Sequence, residues 1–566
     1  MEPQTIQNLF DVRNRKFRIP AYQRSYSWEE KQIKQLLEDI EQAGDHYYLG
    51  HFLFEKSEED NTLLIIDGQQ RLTTCVIFFR CIYDELKKRK DCEIDLNDIV
   101  DYYLKDLRKQ TQRFETVEQD NNFFQDVIID GNNRKAETKS QERISKAKDL
   151  FSKCFVNKET STLESWVNLI QNSAITEFIV SDKVQAAQMF AFQNDRGKAL
   201  SKLEIVKSFF MLQIYLKSNN SEVAETHIKY VEKEFSDIYT LIARINTGED
   251  EILNYYWRAV SGSGFSSGDI IDEVKKQIIE IKDIRNFVSN LTIAFKTAEK
   301  FETSTDESIS DLRYLNHISL SMPFFIKADI CHVNDQVFNR LSKFLENITF
   351  RSLLRGGRAD IQKKINDFLI YAHDNKSFNT GIDNCLNSYF KKNEWWNYWS
   401  DSEMLRILND WFYQNRVDNY LLWKYELYLC NKDYPRPHGI NFNDLMRNES
   451  IEHIAPQTPP QGGPVANGYG IYESQDTPEA GIVSGDWLNR VGNLMLIAQS
   501  HNSSIKNGPF GEKLETYGRN NLLNQQKEID KFVTDVKNPV WDVEAIKRRQ
   551  EKIIKAAQDI WNWNNI

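Results

Sequence analysis

The sequence predicts a mixed, mainly α-helical fold with an α/β N-terminal domain, a helical connector and a small C-terminal domain. Apolar residues recur every three or four positions through most of residues 90–430, which is the spacing of amphipathic helices. A short apolar run at residues 61–67 ends in Asp-Gly, which indicates a strand followed by a turn. Proline and glycine crowd residues 456–485, which indicates a long irregular loop between two ordered parts.

Length and composition limit the class of protein. A chain of 566 residues is too long for one compact core, and we place its domains at residues 1–215, 216–435 and 436–566. Seven scattered cysteines without a Cys-x-x-Cys pair argue against a zinc knuckle and a disulfide framework. The apolar runs are too short to cross a bilayer and the first residues carry no export signal, so we expect a cytoplasmic protein. The net charge of −11 argues against nonspecific DNA coating.

Helical spacing continues along the chain after the first strand. It begins at Leu72–Leu86 and is clearest at Ala187–Leu216, Leu341–Leu354 and Met404–Tyr428. Aromatic residues are dense in the connector, and a large helical core explains them because Trp and Phe bury large areas. A short strand at Arg490–Ile497 and further helix complete the chain.

Three polar motifs mark the N-terminal part, and the first two flank the predicted strand. In residues 17–28 Pro20 fixes an extended turn, and aromatic residues bracket Gln23 and Arg24. The second motif, Ile-Asp-Gly-Gln-Gln-Arg-Leu-Thr-Thr, starts at Ile66. There, the free N–H groups of a helix's first turn are suited to bind an anion. Asp67 is suited to hold a metal or orient a water, and Arg71 to contact phosphate.

The third motif covers residues 192–207. Asn194, Arg196 and Lys207 supply an amide and positive charges around a glycine turn. Ser201 and Glu204 have the spacing of a helix capping box. On chemistry alone, a phosphate site and a purely structural role explain the three motifs equally well.

In this order and spacing the motifs resemble the ParB/sulfiredoxin-like N-terminal domain of the GmrSD family of modification-dependent (type IV) restriction enzymes. The family signature is similar to IPxYQRxYxW, DGQQRLTT and FxxxNxxGxxLxxxEIxK, and SspE-type and BrxU-type proteins are also similar. The resemblance implies nucleoside triphosphate binding and hydrolysis and the sensing of modified DNA. Tyr22, Gln23 and Arg24 then fit either the nucleotide pocket or the reading of a DNA mark. The implied nucleotide-site residues are Tyr22, Gln23, Arg24, Asp67, Gly68, Gln69, Gln70, Arg71, Asn194, Arg196 and Lys207.

A second polar cluster lies near the C-terminus. It contains Glu452 and His453 in Glu-His-Ile-Ala-Pro, Asn493 in Gly-Asn-Leu, and the pair His501 and Asn502. Cutting a phosphodiester needs a base to activate water, a cation to hold the phosphate and a group to align the base. A neutral histidine suits the first task near pH 7, and an asparagine can accept its ring proton or hold its backbone. Carboxylate and amide oxygens suit Mg²⁺ or Mn²⁺.

This cluster resembles the ββα-metal, or His-Me finger, fold in its HNH form, and the string EHIxP–W–GNLxL–N–F..K is similar to the C-terminal domain of the GmrSD family. The resemblance implies His453 as general base, Asn493 as its orienter, and Glu452 and Asn502 as metal ligands. His501 is the alternative to Asn502, and we prefer Asn502. Glu452 and His453 are neighbours on a strand, so they share a site only if the strand breaks there.

Some basic residues fit two interpretations. Lys506 and Lys513 fit either phosphate contacts or a solvated helix face. Arg351, Arg355 and Arg358 fit either DNA contact or helix-end charge, and we favour helix-end charge.

The resemblance implies a defence endonuclease that cuts foreign DNA by metal-dependent hydrolysis, gated by nucleotide or by a DNA mark. We expect double-stranded DNA, modified or from phage, and a nucleotide as partners, no membrane, and a homodimer as one allowed assembly. Two other functions stay open. One is a nuclease-inactive DNA-binding or regulatory protein, and the other is an NTPase whose C-terminal domain only docks DNA.

Overall fold

The computed structural model describes most of the chain. The described residues are 4–12, 15–44, 46–57, 61–180, 201–218, 220–262, 270–356, 361–391, 398–432, 449–458, 465–470, 485–519, 523–533, 535 and 537–566. They form two compact units, one of residues 1–257 with 265–302 and one of 258–264 with 303–566. The mixed, mainly α-helical fold is confirmed. The three-domain division stays a prediction, and its boundary at 435/436 lies outside the described residues.

Unit 1 contains the strands. They are β1 (Gln4–Thr5), β2 (Lys16–Arg18), β3 (Tyr48–Lys56), β4 (Thr62–Asp67), β5 (Lys105–Asp106), β6 (Thr111–Gln112), β7 (Phe114–Glu115) and β8 (Ala174–Val180). Within the described residues six strands form one mixed sheet in the order β1-β8-β3-β4-β2-β7, and β5 pairs with β6. The predicted strand at residues 61–67 is confirmed as β4. Strand β8 lies in the stretch predicted to be helical, because it pairs in parallel with β3 and pairing outweighs local spacing.

The helices of unit 1 cover the sheet and extend beyond it. They are α1 (Ile6–Asp11), α2 (Glu30–Gln42), α3 (Gln69–Leu86), α4 (Leu96–Ile99), α5 (Glu118–Phe124), α6 (Lys139–Val156), α7 (Thr160–Gln171), α8 (Lys202–Lys217), α9 (Ser221–Ile242), α10 (Glu249–Ser261, which continues into unit 2), α11 (Ile270–Gln277) and α12 (Ile281–Thr303). Two π-helical turns, Val100–Leu104 and Gln125–Ile129, continue α4 and α5. The capping box of Ser201 and Glu204 is confirmed at the start of α8.

Unit 2 is a helical body around one short hairpin. Its helices are α13 (Glu307–Tyr314), α14 (Ile318–Ile330), α15 (Asp335–Arg355), α16 (Ile361–Tyr371), α17 (Asn375–Cys385), α18 (Asp401–Leu408), α19 (Asp418–Lys432), α20 (Gly485–Leu488), α21 (Gln499–Ile505), α22 (Phe510–Arg519), α23 (Asn524–Lys527) and α24 (Val543–Ile560). The hairpin strands are β9 (Glu449–His453) and β10 (Leu494–Ala498). In the described part of the chain no helix is both long and apolar enough to span a membrane.

Two predictions for unit 2 were wrong. The single helix expected at Met404–Tyr428 is split into α18 and α19, because the backbone N–H groups of Phe412 and Tyr413 donate to Asn489 O instead of continuing a helix. The helix-end charge expected of these arginines is confirmed for Arg355, the basic residue in the last turn of α15, and wrong for Arg351. Arg351 is buried and donates to Asp401 Oδ1, and Arg355 pairs with a glutamate of α18. Arg358 lies outside the described residues.

Candidate functional site

The hairpin of unit 2 separates two neighbouring residues of the predicted site. Strands β9 and β10 pair antiparallel and α21 follows β10 directly, with His453 opposite Leu494 and Glu452 opposite Met495. Leu494 belongs to the hydrophobic core that includes α19, whereas Met495 belongs to a second core that includes α22. Side chains alternate along a strand, so His453 and Glu452 project to opposite faces of the hairpin. The strand does not break between them.

Asn493 holds the chain immediately after His453. Its side chain is fully buried, and its Nδ2 donates to Ala455 O at 3.0 Å and Leu488 O at 2.9 Å. Its Oδ1 accepts from Ala455 N–H at 2.8 Å and from the Trp541 indole N–H at 2.9 Å. These four bonds use the whole capacity of an amide side chain. Asn493 therefore fixes the backbone turn beyond His453, and its described side-chain bonds go to the backbone and to the Trp541 indole rather than to the imidazole.

The glycine before Asn493 is required by the helix that crosses it. A Cβ on Gly492 would lie 2.3 Å from Ile546 O of α24, a distance that backbone atoms do not tolerate. From the same helix, Arg549 Nη1 donates to Gly492 O at 2.9 Å and Leu494 O at 2.6 Å. Close contact with α24 thus requires Gly492, and the turn after His453 requires Asn493.

His453 is partly buried and neutral near pH 7. Its pKa is lowered from 6.5 to about 4, chiefly by burial, while the bond to Asn489 acts to raise it and the charge of Lys513 adds a smaller lowering. Its Nε2 lies 3.3 Å from Asn489 Oδ1, and its ring centroid lies 4.4 Å from that of Tyr413 in an edge-to-face arrangement. If Asn489 Oδ1 accepts the ring proton from Nε2, Nδ1 retains a lone pair that can take a proton from water.

Sequence reasoning missed Asn489. It is 4% exposed and its Oδ1 also accepts from Gln457 Nε2 at 3.2 Å. Its backbone oxygen accepts from the N–H groups of Phe412 and Tyr413. The only signal in the sequence is its place between the Asp-Trp and Gly-Asn-Leu segments, which says nothing about a partner 36 residues away.

Glu452 lies in a buried ion pair on the opposite face of the hairpin. Its Oε1 accepts from Lys513 Nζ at 2.6 Å and from the Tyr517 hydroxyl at 2.8 Å, and the two donors are one turn apart on α22. Lys513 Nζ also donates to His453 O at 3.2 Å. Burial raises the pKa of Glu452, while Lys513 and Tyr517 lower it. Lys513 is therefore neither a solvated lysine nor placed for phosphate, and both sequence interpretations of it were wrong.

The alternative ligands His501 and Asn502 follow on α21. His501 is buried beside Tyr517, with ring centroids 6.2 Å apart, and Gln526 Nε2 lies 3.3 Å from its Nδ1. Its Nε2 is buried without a hydrogen-bond partner among the described residues, and burial lowers its pKa. Asn502 is partly exposed. Tyr517 thus connects His501 to the Glu452 face rather than to His453.

The Glu452 carboxylate of the predicted metal set is occupied by the Lys513 ammonium and the Tyr517 hydroxyl. No three His, Cys, Asp or Glu side chains of the described residues converge to hold a metal ion. The charge of Glu452 is already matched by the Lys513 ammonium at the same oxygen. Glu452, His501 and Asn502 therefore stay a prediction from the sequence.

The N-terminal motifs meet in unit 1 through their glutamines. Gln23 Nε2 donates to Ile66 O at 2.9 Å, and Gln69 Nε2 is 3.4 Å from Gln23 Oε1. Gln70 Oε1 accepts from Ser27 N–H at 2.7 Å. These contacts hold the first motif against the strand-to-helix junction of the second. In the described structure the glutamine side chains therefore form hydrogen bonds that connect the two motifs.

Asp67 presents a partly exposed carboxylate at the start of α3. Its Oδ2 lies 3.2 Å from His51 Nε2 and 3.6 Å from Arg71 Nη2. Arg71 is occupied with the backbone of β3, since it donates to Leu49 O and His51 O. Gly68 has φ +87°, and a Cβ there would lie 2.4 Å from the Phe52 ring. Sequence reasoning missed His51, which contacts Asp67 in this cluster.

The third motif reaches the first through two charged residues. Lys207 Nζ donates to Tyr22 O at 2.6 Å, lies over the Tyr22 ring at 4.9 Å, and has its pKa lowered to about 8 by burial. Arg24 Nε lies 3.0 Å from Glu204 Oε1. Both cations therefore serve internal contacts. Asn194 and Arg196 lie outside the described residues.

Two family models match the chain. Residues 6–211 match the N-terminal domain of the GmrSD restriction endonuclease, and residues 399–556 match the C-terminal domain of the GmrSD restriction endonucleases. Together the matches cover more than half of the chain.

The chain belongs to the GmrSD restriction endonuclease family.

The GmrSD matches enclose both clusters. The N-terminal match contains the three motifs with His51, and the C-terminal match contains His453, Asn489 and the segment between α18 and α19. No curated protein matches the chain closely enough to count as a relative. The chain therefore carries both domains of a restriction endonuclease family.

Proposed function

We propose that this chain is a DNA endonuclease of a defence system and that His453 is its general base. The observation that carries the proposal is the state of His453. It is a neutral, partly exposed imidazole at the end of β9, with Nε2 facing an amide oxygen and Nδ1 left to accept a proton. A hairpin followed at once by a helix is also the arrangement that the HNH resemblance implies.

The chemistry needs one proton transfer and one displacement. His453 Nδ1 takes a proton from water as the water oxygen attacks phosphorus. The bond from phosphorus to the leaving sugar oxygen breaks, and that oxygen is protonated from solvent. A nearby phosphodiester adds negative charge, which raises the pKa of the imidazole and makes it a stronger base when DNA is bound.

Divalent-cation dependence is a separate part of the proposal and rests on the sequence resemblance. A bound Mg²⁺ or Mn²⁺ would polarise the scissile phosphate. The proton transfer at His453 is proposed without a role for the cation.

The N-terminal domain is proposed to make cutting conditional. Asp67 lies at the start of α3, where free backbone N–H groups attract phosphate, and its carboxylate is partly exposed. A nucleoside triphosphate bound there, or a DNA mark, would license cleavage of foreign DNA. Such gating protects host DNA from an active nuclease in the cytoplasm.

The test compares cleavage of plain, glucosylated hydroxymethylcytosine and phosphorothioate DNA by the full chain, each with and without nucleotide. We expect nicking of at least one modified substrate, and a change in its rate when nucleotide is added. Binding of DNA without cleavage of any substrate would favour a regulatory protein. Hydrolysis of nucleotide with DNA docking alone would favour the NTPase alternative. Equal cleavage of all substrates with and without nucleotide would overturn the gating.

A further inference from the structure

Asn489 makes two kinds of contact beside the proposed base. Its side-chain oxygen faces two nitrogens, His453 Nε2 at 3.3 Å and Gln457 Nε2 at 3.2 Å. Its backbone oxygen accepts from Phe412 N–H at 2.8 Å and Tyr413 N–H at 2.9 Å. The backbone contacts hold the segment between α18 and α19, and they do not depend on the identity of the side chain.

An amide oxygen has no hydrogen and can only accept. A neutral imidazole that donates to it must carry its proton on Nε2, which leaves the lone pair on Nδ1. The rings of Tyr413 and His453 meet edge to face, which restricts the rotation of the imidazole. Asn493 fixes the following backbone instead, so among the described residues Asn489 and Tyr413 are the ones that orient the imidazole itself.

We propose that Asn489 is a positioning residue that holds His453 as the Nε2–H tautomer with Nδ1 presented to the attacking water. The inference rests on the proposed function of His453 and adds a residue whose effect on cleavage acts through it.

The test compares Asn489→Leu, which removes the acceptor at similar size, with Asn489→Asp, which keeps an oxygen there. We expect kcat for DNA cleavage to fall at least about 10-fold in Asn489→Leu with an unchanged Kd for DNA. This loss is smaller than the roughly 10²- to 10⁴-fold contribution of a general base. Asn489→Asp should restore most of the rate. The matched control is Asn409→Leu, an exposed asparagine of the same unit.

Nitrogen NMR of ¹⁵N-histidine protein, with His453 assigned through His453→Ala, reads the tautomer directly. Wild type should show the proton on Nε2, and Asn489→Leu a mixture. If Asn489→Leu does not fold, Asn489→Ser provides the smaller change for the same measurements. Full kcat with an unchanged tautomer in the acceptor-free variant overturns the inference. Full activity of His453→Ala overturns the proposed function instead.

A different observation concerns Trp411, on the segment that Asn489 holds. Its ring is 54% exposed, yet its indole N–H is already bonded to Tyr413 O at 3.1 Å. The ring is therefore held in place with no free polar atom, and it offers solvent only an aromatic surface. Two residues away, Tyr413 contacts His453.

We infer that Trp411 stacks on a base or sugar of the DNA beside the cleavage point. Stacking on an aromatic side chain contributes about 1–3 kcal/mol per base. Trp411→Ala should raise KM or Kd for DNA about 5- to 160-fold with little change in kcat, the reverse of Asn489→Leu. Tyr371→Ala, which removes an even more exposed ring on α16, is the matched control. Unchanged DNA affinity of Trp411→Ala, or an equal loss in the control, overturns this inference.

Discussion

Glu452 and Lys513 form an ion pair of 2.6 Å in which the side chains are 5% and 1% exposed. The pair joins β9 to α22 directly behind His453, because Lys513 also donates to His453 O. A buried pair tolerates the loss of one partner poorly, since the other charge is left without compensation.

Lys513→Met is expected to lower the free energy of unfolding by about 3–5 kcal/mol, because Glu452 keeps a buried and unpaired carboxyl group. The double variant Glu452→Gln/Lys513→Met should recover much of this loss. Denaturant unfolding measures both. Lys547→Met is the control, since Lys547 pairs with Glu544 at the surface and exposed pairs contribute little. An equal, small effect of both lysine substitutions would show that the buried pair does not stabilise the hairpin.

Chelation is expected to stop DNA cleavage and added Mg²⁺ or Mn²⁺ to restore it. Asn502→Ala should then raise the cation concentration for half-maximal cleavage about 10-fold or more, the usual cost of losing a group that supports a metal. His501→Ala should change stability rather than cation dependence, because its ring is buried beside Tyr517. A shift in cation dependence in His501→Ala but not in Asn502→Ala would make His501 the ligand. Cleavage in EDTA would show that the reaction needs no divalent cation.

The pKa of His453, about 4, predicts an unusual pH dependence. An ordinary imidazole loses half of its base form near pH 6.5, whereas kcat/KM for cleavage, which reports the DNA-free enzyme, should hold down to about pH 5. The free energy of unfolding changes with pH because the two states bind the proton at different pH values. In the unfolded chain the imidazole binds a proton below about pH 6.5, whereas in the folded protein it does so only below about pH 4. His453 therefore removes stability as pH falls through this window, and His453→Gln should flatten that part of the unfolding curve. A kcat/KM that halves near pH 6.5 would contradict the lowered pKa of His453 in the DNA-free protein.

Asp67→Asn is expected to abolish nucleotide hydrolysis, or the effect of nucleotide on cleavage, while the fold is kept. The reason is that Asp67 carries a partly exposed carboxylate at the start of α3 beside His51. Asp84→Asn on the same helix is the control, because Asp84 only pairs with Arg80. Phosphate release and nicking, measured in parallel, separate the two effects. Normal nucleotide dependence in Asp67→Asn would show that the response to nucleotide does not require Asp67.

The features that the sequence predicted correctly are those that residues close together in the chain determine. The strand before Asp67 and the capping box of Ser201 follow from short-range patterns, whereas the order of hairpin and helix after His453 is what the HNH resemblance implied. Asn489 and Lys513 could not be found in this way. They reach their partners across 36 and 61 residues, and only strand alternation and helix packing decide which face each one meets.

Strand alternation also explains why the predicted metal ligand Glu452 and the predicted base His453 do not share one site. A sequence places Glu452 and His453 side by side, but a continuous strand sends them to opposite faces. The interruption between α18 and α19 was also beyond local reasoning, because its cause is the backbone oxygen of Asn489.

The central claim is that His453 is the base of a DNA endonuclease. Its most direct test is cleavage of the best DNA substrate by the purified full chain carrying His453→Ala, next to His373→Ala, which removes an exposed imidazole of the same unit. We expect His453→Ala to bind DNA normally and to cut at least about 100-fold more slowly, while His373→Ala cuts like wild type. Cleavage by His453→Ala at the wild-type rate would contradict the account.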